Sequence, residues 1–266
     1  MRLTSIAILS AASVALSACG GDKVTTPNIP PTAQVRFINA LNDTGAVDIH
    51  AVDQIEFSPV ANNLNYRAGT VYFATEAGSR HFRVFPTSTN IAVTSQIIDD
   101  ESVTITADTR VTLLLTGSAR AKTAHFVLIS DDTQAPPTGQ ISVRMVNTAP
   151  AAVDGYLVNT ATDPLPGTAT FANVASLASS GYTARGAGAA AVRATDPGTA
   201  TVRASQNGPA APATLPGEFP AAGVGSGGTK FSVYYFPAGV AGSPQNGVAN
   251  PSLVWFVDRN PCDGGC

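Results

Sequence analysis

The segment Val35-Arg36-Phe37-Ile38-Asn39-Ala40 returns 108 residues later as Val143-Arg144-Met145-Val146-Asn147-Thr148. Further matches follow in the same order. Ala46-Val47-Asp48 pairs with Ala152-Val153-Asp154 at an offset of 106. Gly78 and Phe82-Arg83-Val84 pair with Gly188 and Val192-Arg193-Ala194 at 110. Thr109-Arg110-Val111-Thr112-Leu113-Leu114-Leu115 pairs with Thr229-Lys230-Phe231-Ser232-Val233-Tyr234-Tyr235 at 120. The hexapeptide from Phe126 to Asp131 pairs with that from Leu253 to Asp258 at 127. Collinear matches of this kind mean one fold used twice. The jump from 110 to 120 places an insertion in the second copy, in the Pro/Gly/Ala-rich run Pro209–Gly228.

Within each copy the apolar period is two. Val103, Ile105 and Ala107 alternate with Ser102, Thr104 and Thr106, and Phe82 and Val84 alternate with His81 and Arg83. Period two puts successive side chains on opposite faces of a strand, and turn residues separate the short runs. The expected fold is all-β: two tandem Ig-like antiparallel β-sandwich domains, over residues 33–131 and 140–258. A Pro-rich linker, 132–139, joins them, and residues 259–266 form a C-terminal tail.

The first eighteen residues read as a signal peptide. Arg2 supplies a positive start, and the apolar run from Ile6 to Leu16 is too short to span a bilayer. Leu16-Ser17-Ala18-Cys19 resembles the bacterial lipobox. That resemblance implies cleavage before Cys19, a lipid on its sulfur and attachment to a membrane. Gly20 follows where Asp would favour the inner membrane, so the outer membrane is expected. A single acyl chain holds only marginally, whereas two or three hold firmly. Residues 19–32, with Pro27, Pro30 and Pro31, read as a flexible tether. Two further cysteines, Cys262 and Cys266, flank Asp-Gly-Gly and suit a small-loop disulfide in an oxidising compartment. A metal site there would need two more ligands.

The first-strand motif Val-Arg-x-x-Asn, the Ala-Val-Asp triplet, a Gly before a strand and a late apolar strand ending in Asp resemble the domain-of-unknown-function family 4397. Members occur, often in tandem, in secreted and lipid-anchored bacterial proteins. The resemblance covers both copies. The Pro of the family's first loop survives as Pro150, but its His does not. No activity is established for the family, so the likeness implies a fold and a surface location.

No cofactor is expected. Charged residues make up 12% of the chain with no basic patch, which argues against a nucleic-acid partner. His50, His81 and His125 all lie in copy one, and copy two has no histidine to match them. Asp99-Asp100-Glu101 suggests a hairpin turn or, less well, calcium ligands. Asp131 and Asp258 end matching strands, where Asp commonly caps a turn. Asp48 and Asp154 suit exposed strand positions or a loop hydrogen bond. The Gly-rich run from Gly223 to Gly228 reads as a flexible loop. Tyr234, Tyr235 and Trp255 are candidates for contacting a glycan or peptide. Both faces of Tyr234-Tyr235-Phe236 are bulky, however, so one face must pack outside its own sandwich, preferably between the domains. The expected function is therefore a lipid-anchored, non-enzymatic envelope protein with a structural or adhesive role. The alternative is a glycan- or peptide-binding module.

Overall fold

The computed structural model describes residues 30–53, 59–210 and 222–263. The expected signal peptide, Cys19, nearly all of the tether, Cys266 and part of the insertion fall outside them. Sixteen strands and one four-residue helix make up the described fold. Strands β1 (Thr32–Asn39), β4 (Phe73–Glu76), β7 (Arg110–Thr116) and β8 (His125–Ser130) form one sheet in the order β4-β1-β7-β8. Strands β2 (Val47–Ala51), β3 (Ala61–Leu64), β5 (Gly78–Pro86) and β6 (Asp99–Ile105) form a second, β3-β2-β5-β6. The short helix α1 (Ile91–Thr94) lies between β5 and β6, capped by the Asn90 side chain on the Ala92 N–H.

The second half repeats this order strand for strand. Strands β9 (Gln140–Asn147), β12 (Thr183–Gly186), β15 (Lys230–Phe236) and β16 (Ser252–Arg259) form the sheet β12-β9-β15-β16. Strands β10 (Val153–Val158), β11 (Phe171–Val174), β13 (Ala191–Thr195) and β14 (Val202–Asn207) form β11-β10-β13-β14. The protein is all-β and sandwich-built, but not purely antiparallel. β1 pairs with β7 in parallel, as does β9 with β15. The chain crosses to the other sheet after β1, so β7 returns beside it running the same way.

In each half the two sheets close on an apolar core. Val35, Phe37, Val47, Ile49, Phe82, Val84, Leu113 and Leu115 fill the first. Val143, Met145, Phe171, Val192, Phe231, Val233 and Tyr235 fill the second. The other faces of β1, β7, β9 and β15 are also covered over most of their length, with Gln34 left exposed at the start of β1. Ile38, Leu114 and Ile129 pack with Val146, Tyr234 and Phe236 in a third cluster between the halves. β15 is buried at every position. Both halves belong to one contact unit beginning at Pro31. Fully burying a side chain of this size contributes about 1.5–3 kcal/mol, so the third cluster binds the halves strongly.

Local devices repeat as well. β2 and β10 each carry a register shift beside their partner, at Asp48 and Asp154. The Asp48 carboxylate accepts the Asn63 N–H at 2.7 Å, and Asp154 accepts that of Asn173 at 2.6 Å. Both asparagines hold positive φ, 51° and 49°, which Asn tolerates better than most residues. These two acids thus fasten the bulged strand, β2 or β10, to its neighbour, β3 or β11. Asn39 and Asn147 act alike. Each side-chain oxygen accepts an N–H two residues on, and each side-chain amide donates to the carbonyl of Leu64 or Val174.

Candidate functional site

The most concentrated chemistry lies between the two halves. Arg36 projects from β1 and Arg144 from β9, both almost wholly buried. Arg36 Nε donates to Thr112 Oγ1 at 2.7 Å, Nη1 to the Val257 carbonyl at 3.0 Å, and Nη2 to Asp258 Oδ1. Arg144 Nε donates to Ser232 Oγ at 2.7 Å, Nη1 to the Ser130 carbonyl at 2.8 Å, and Nη2 to Asp131 Oδ1. Each arginine therefore crosses to the aspartate of the other half.

The second carboxylate oxygens are matched too. Asp131 Oδ2 accepts Thr112 Oγ1 and Tyr72 Oη, each at 2.7 Å. Asp258 Oδ2 accepts Ser232 Oγ at 2.6 Å and Tyr182 Oη at 2.7 Å. The Arg36 guanidinium stacks 4.7 Å from the Tyr72 ring, and Arg144 stacks 4.8 Å from Tyr182. Two cations and two anions cancel, and the hydroxyls supply the remaining donors. Buried ion pairs are tolerated only on such terms.

Electrostatics reflect the burial. Burial opposes the Arg36 charge, but Asp258, Tyr72, Tyr234 and Asp131 outweigh it and raise its pKa. Burial pushes the Asp131 carboxyl upward against the pull of Arg36 and Arg144. Burial likewise raises the phenols of Tyr72 and Tyr182, which stay neutral donors. Tyr234 is pushed up to about 12 by burial, and among the described residues its hydroxyl has no hydrogen-bond partner. The two arginines and two aspartates are buried and spend their hydrogen bonds on one another and on Thr112, Ser232, Tyr72 and Tyr182.

Asp131 and Asp258 thus serve as ion-pair acceptors and not as turn caps. Sequence offsets carried the signal: Arg36/Arg144, Thr112/Ser232 and Asp131/Asp258 all lie in matched segments, and Tyr72/Tyr182 share the offset of 110. What was missed is that the matches describe a shared interface.

Other candidates disperse. Asp99, Asp100 and Glu101 lie within β6 and not in a hairpin turn. Asp100 takes His81 Nε2 and Arg83 on the adjacent strand. Glu101 accepts the Phe126 N–H from β8. His50 packs edge-on to Phe85, and His125 leans on the Thr123 carbonyl. Among the described residues no three His, Cys, Asp or Glu side chains gather as metal ligands. Val224, in the Gly-rich run, is buried against the second core. Cys262 is not a free thiol, and its expected partner lies outside the described residues.

Two of the three aromatic contact candidates are corrected by burial: Tyr234 is 0% and Tyr235 5% exposed. Tyr234 faces the other half and Tyr235 its own core, so their bulk fills two cores at once. Trp255 packs edge-on against Phe231 at 5.4 Å but stays half-buried, beside Gln206, Pro209 and Ser252 in a shallow cleft.

Beside the network lies a cleft of about 470 Å³. Gln34, Ala74 and Arg110 on the first sheet form one side of it, and Phe256, Asn260 and Asp263 the other.

Residues 33–156 match the model of a family described as a domain of unknown function (DUF4397). The match supports the family expected from the first-strand residues over that span, which runs past Asp131 into β10. No curated protein sequence matches. Among solved structures, the chain is similar to a streptococcal virulence factor described as binding alpha-glucan, at 13% identity and a TM-score of 0.21. That alignment covers 66% of this chain and 86% of the other. A leucine-rich repeat protein from Bacteroides thetaiotaomicron aligns at 12% identity and a TM-score of 0.15, over 77% of this chain and 25% of that one. Likeness this weak has no bearing on the function of either half.

Proposed function

We propose that this chain is a lipid-anchored, non-enzymatic module of the bacterial cell envelope, held at the outer membrane through Cys19. One observation carries the structural reading. The polar residues that recur in both halves close on each other in the buried Arg36–Asp258 and Arg144–Asp131 exchange. Their chemistry joins sandwiches and leaves none of them facing solvent as a reacting group. The anchor rests on Leu16-Ser17-Ala18-Cys19 and the Pro-containing tether behind it.

Strand direction supports display. β1 starts, and β16 ends, at one end of the stacked sheets, beside Arg110. The loops after β1, β5 and β7 therefore lie at the end away from the tether. A Cys262–Cys266 disulfide belongs to the same proposal and would fasten the tail.

Metabolic labelling with a palmitate analogue, with and without the lipoprotein-signal-peptidase inhibitor globomycin, tests the anchor. Wild type takes label and accumulates precursor under the inhibitor, whereas Cys19→Ala takes no label and stays as precursor with or without it. Processing that ignores both the inhibitor and the substitution would end the anchoring proposal.

A further inference from the structure

The cleft beside the network has an outer cation of its own. Arg110 stacks 4.9 Å from the ring of Tyr72, on which Arg36 also stacks. Its Nε donates to Gln34 Oε1 at 2.7 Å. Its Nη1 donates to the Asp258 carbonyl at 2.6 Å and to Asp263 Oδ2 at 2.8 Å. The guanidinium is thus aimed by Gln34 and the backbone, and a carboxylate sits on it.

The second half builds the same layer differently. Lys230 lies 4.3 Å from the Tyr182 ring and pairs with Asp132. Asp132 lies two residues past β8, in the linker that joins β8 to β9. Its carboxylate also accepts the Gln134 N–H at 2.8 Å. Asp263 follows the last strand and belongs to no sheet. Its carboxylate is about one-third exposed and is also steadied by the Asn260 N–H at 3.1 Å. One outer cation is closed by the linker, while the other is closed by a segment beside an open cleft.

We propose that the Arg110 cleft is a receptor site for the carboxylate of an acidic peptide, and that Asp263 is its displaceable resident. The resident shows the ligand class: a peptide side-chain carboxylate, approached by one Arg N–H, with Gln34 and Asn260 amides alongside. The volume next to it accommodates the flanking residues of a partner peptide, with Ala74 and Phe256 as its apolar contacts. A guanidinium with carboxylate is among the stronger hydrogen-bonded pairs, and it fixes direction as well as charge. In the second half the matching cation is closed by Asp132 in the connected linker.

The test uses the full mature chain and a capped pentapeptide, acetyl-Asn-Pro-Ala-Asp-Gly-amide, with its Asn-for-Asp counterpart and glucuronate as parallel probes. Asp263→Asn removes the resident charge with little change of shape. A tethered competitor acts at millimolar effective concentration, so its removal should tighten the acidic peptide by about tenfold. Amide NMR shifts should centre on Gln34, Ala74 and Arg110. The Asn counterpart should not bind, and Arg110→Gln added to Asp263→Asn should abolish the gain. A chain ending at Asn260 repeats the test should the first variant fold poorly. No gain in either form, a gain that survives Arg110→Gln, or shifts elsewhere would overturn the site. Glucuronate binding as tightly as the peptide would overturn the peptide assignment.

Discussion

The two halves share eight strands in one order, yet, beside the insertion before β15, they differ sharply in two further connections. The β15–β16 connection, residues 237–251, is seven residues longer than the β7–β8 connection, residues 117–124. It reaches over the first half. Tyr66 Oη and Arg67 Nη2 donate to the Pro237 carbonyl at 2.6 and 2.7 Å, Asn42 Nδ2 to Ala238 at 2.8 Å, and Gln245 Nε2 to Thr44 at 2.8 Å. The matching positions of Tyr66 and Arg67 in the second half are Ser176 and Leu177, which cannot hold such a strap. The short connection instead turns tightly at Gly117, where φ is +94° and a Cβ would strike the Thr123 carbonyl. Conversely, the β5–β6 connection of the first half, with exposed Ile91 and Ile97, is reduced to a brief turn in the second. Charge and hydroxyl are two-fold; loops are not.

That contrast can be broken at its strongest point. Arg36→Ala leaves Asp258 buried and unpaired and should cost about 3–5 kcal/mol, read from urea unfolding. Arg144→Ala should cost a similar amount through Asp131. A large difference between them would mean that the geometric two-fold is not an energetic one. The double variant Arg36→Ala with Asp258→Ala should cost less than the two singles together.

Next come the turn amides. Asn39→Ala orphans two backbone groups and Asn147→Ala three, so each should cost about 1–3 kcal/mol, with Asn147→Ala the costlier. The strap gives the opposite expectation. Tyr66→Phe should cost about 1 kcal/mol, while Ser176→Ala should lie near zero. Equal effects would show that the strap contributes nothing.

A pH test separates the outer sheets. Burial first, and then the Glu101 charge, raise Asp99 from 3.8 to about 6, whereas the register-equivalent residue in the second half is Ala204. The raised carboxyl binds its proton more tightly when folded. Stability from that proton is whole below pH 3.8 and is lost as pH rises through about 6. Asp99→Asn should therefore stabilise at neutral pH and not in acid. Partial exposure screens the effect to about 1 kcal/mol, measured as unfolding midpoint against pH. Smallest is Tyr234→Phe. Its hydroxyl has no partner among the described residues, so the change should lie within about 1 kcal/mol and favour stability.

The strand framework was legible because period two and the repeat offsets survive in residues such as Phe82, Val84 and Val111. The same period concealed the central stack. Thr112 and Leu114 alternate with Val111, Leu113 and Leu115, yet they are as buried as Leu113. Alternation reveals that a strand has two faces, but not that both are covered. Tyr234-Tyr235-Phe236 was the exception, since large residues on both faces need two cores. The ion-pair exchange was less accessible. Arg36 and Asp258 are 222 residues apart, and nothing local to either announces a partner. The parallel β1–β7 pair is equally non-local, a matter of where the chain crosses between sheets.

Distance along the chain also sets an order in time. Asp131 precedes Asp258 by 127 residues, so the first half is delivered, by whatever channel, before its partner. Until the second half follows, Arg36 lacks Asp258, and Ile38 and Leu114 lack the residues that cover them. Asp131 stands 3.9 Å from Arg36 within the same half. It is the counter-charge within reach of Arg36 before Arg144 is in place. The crossed pairing can be completed only when the last strand has arrived.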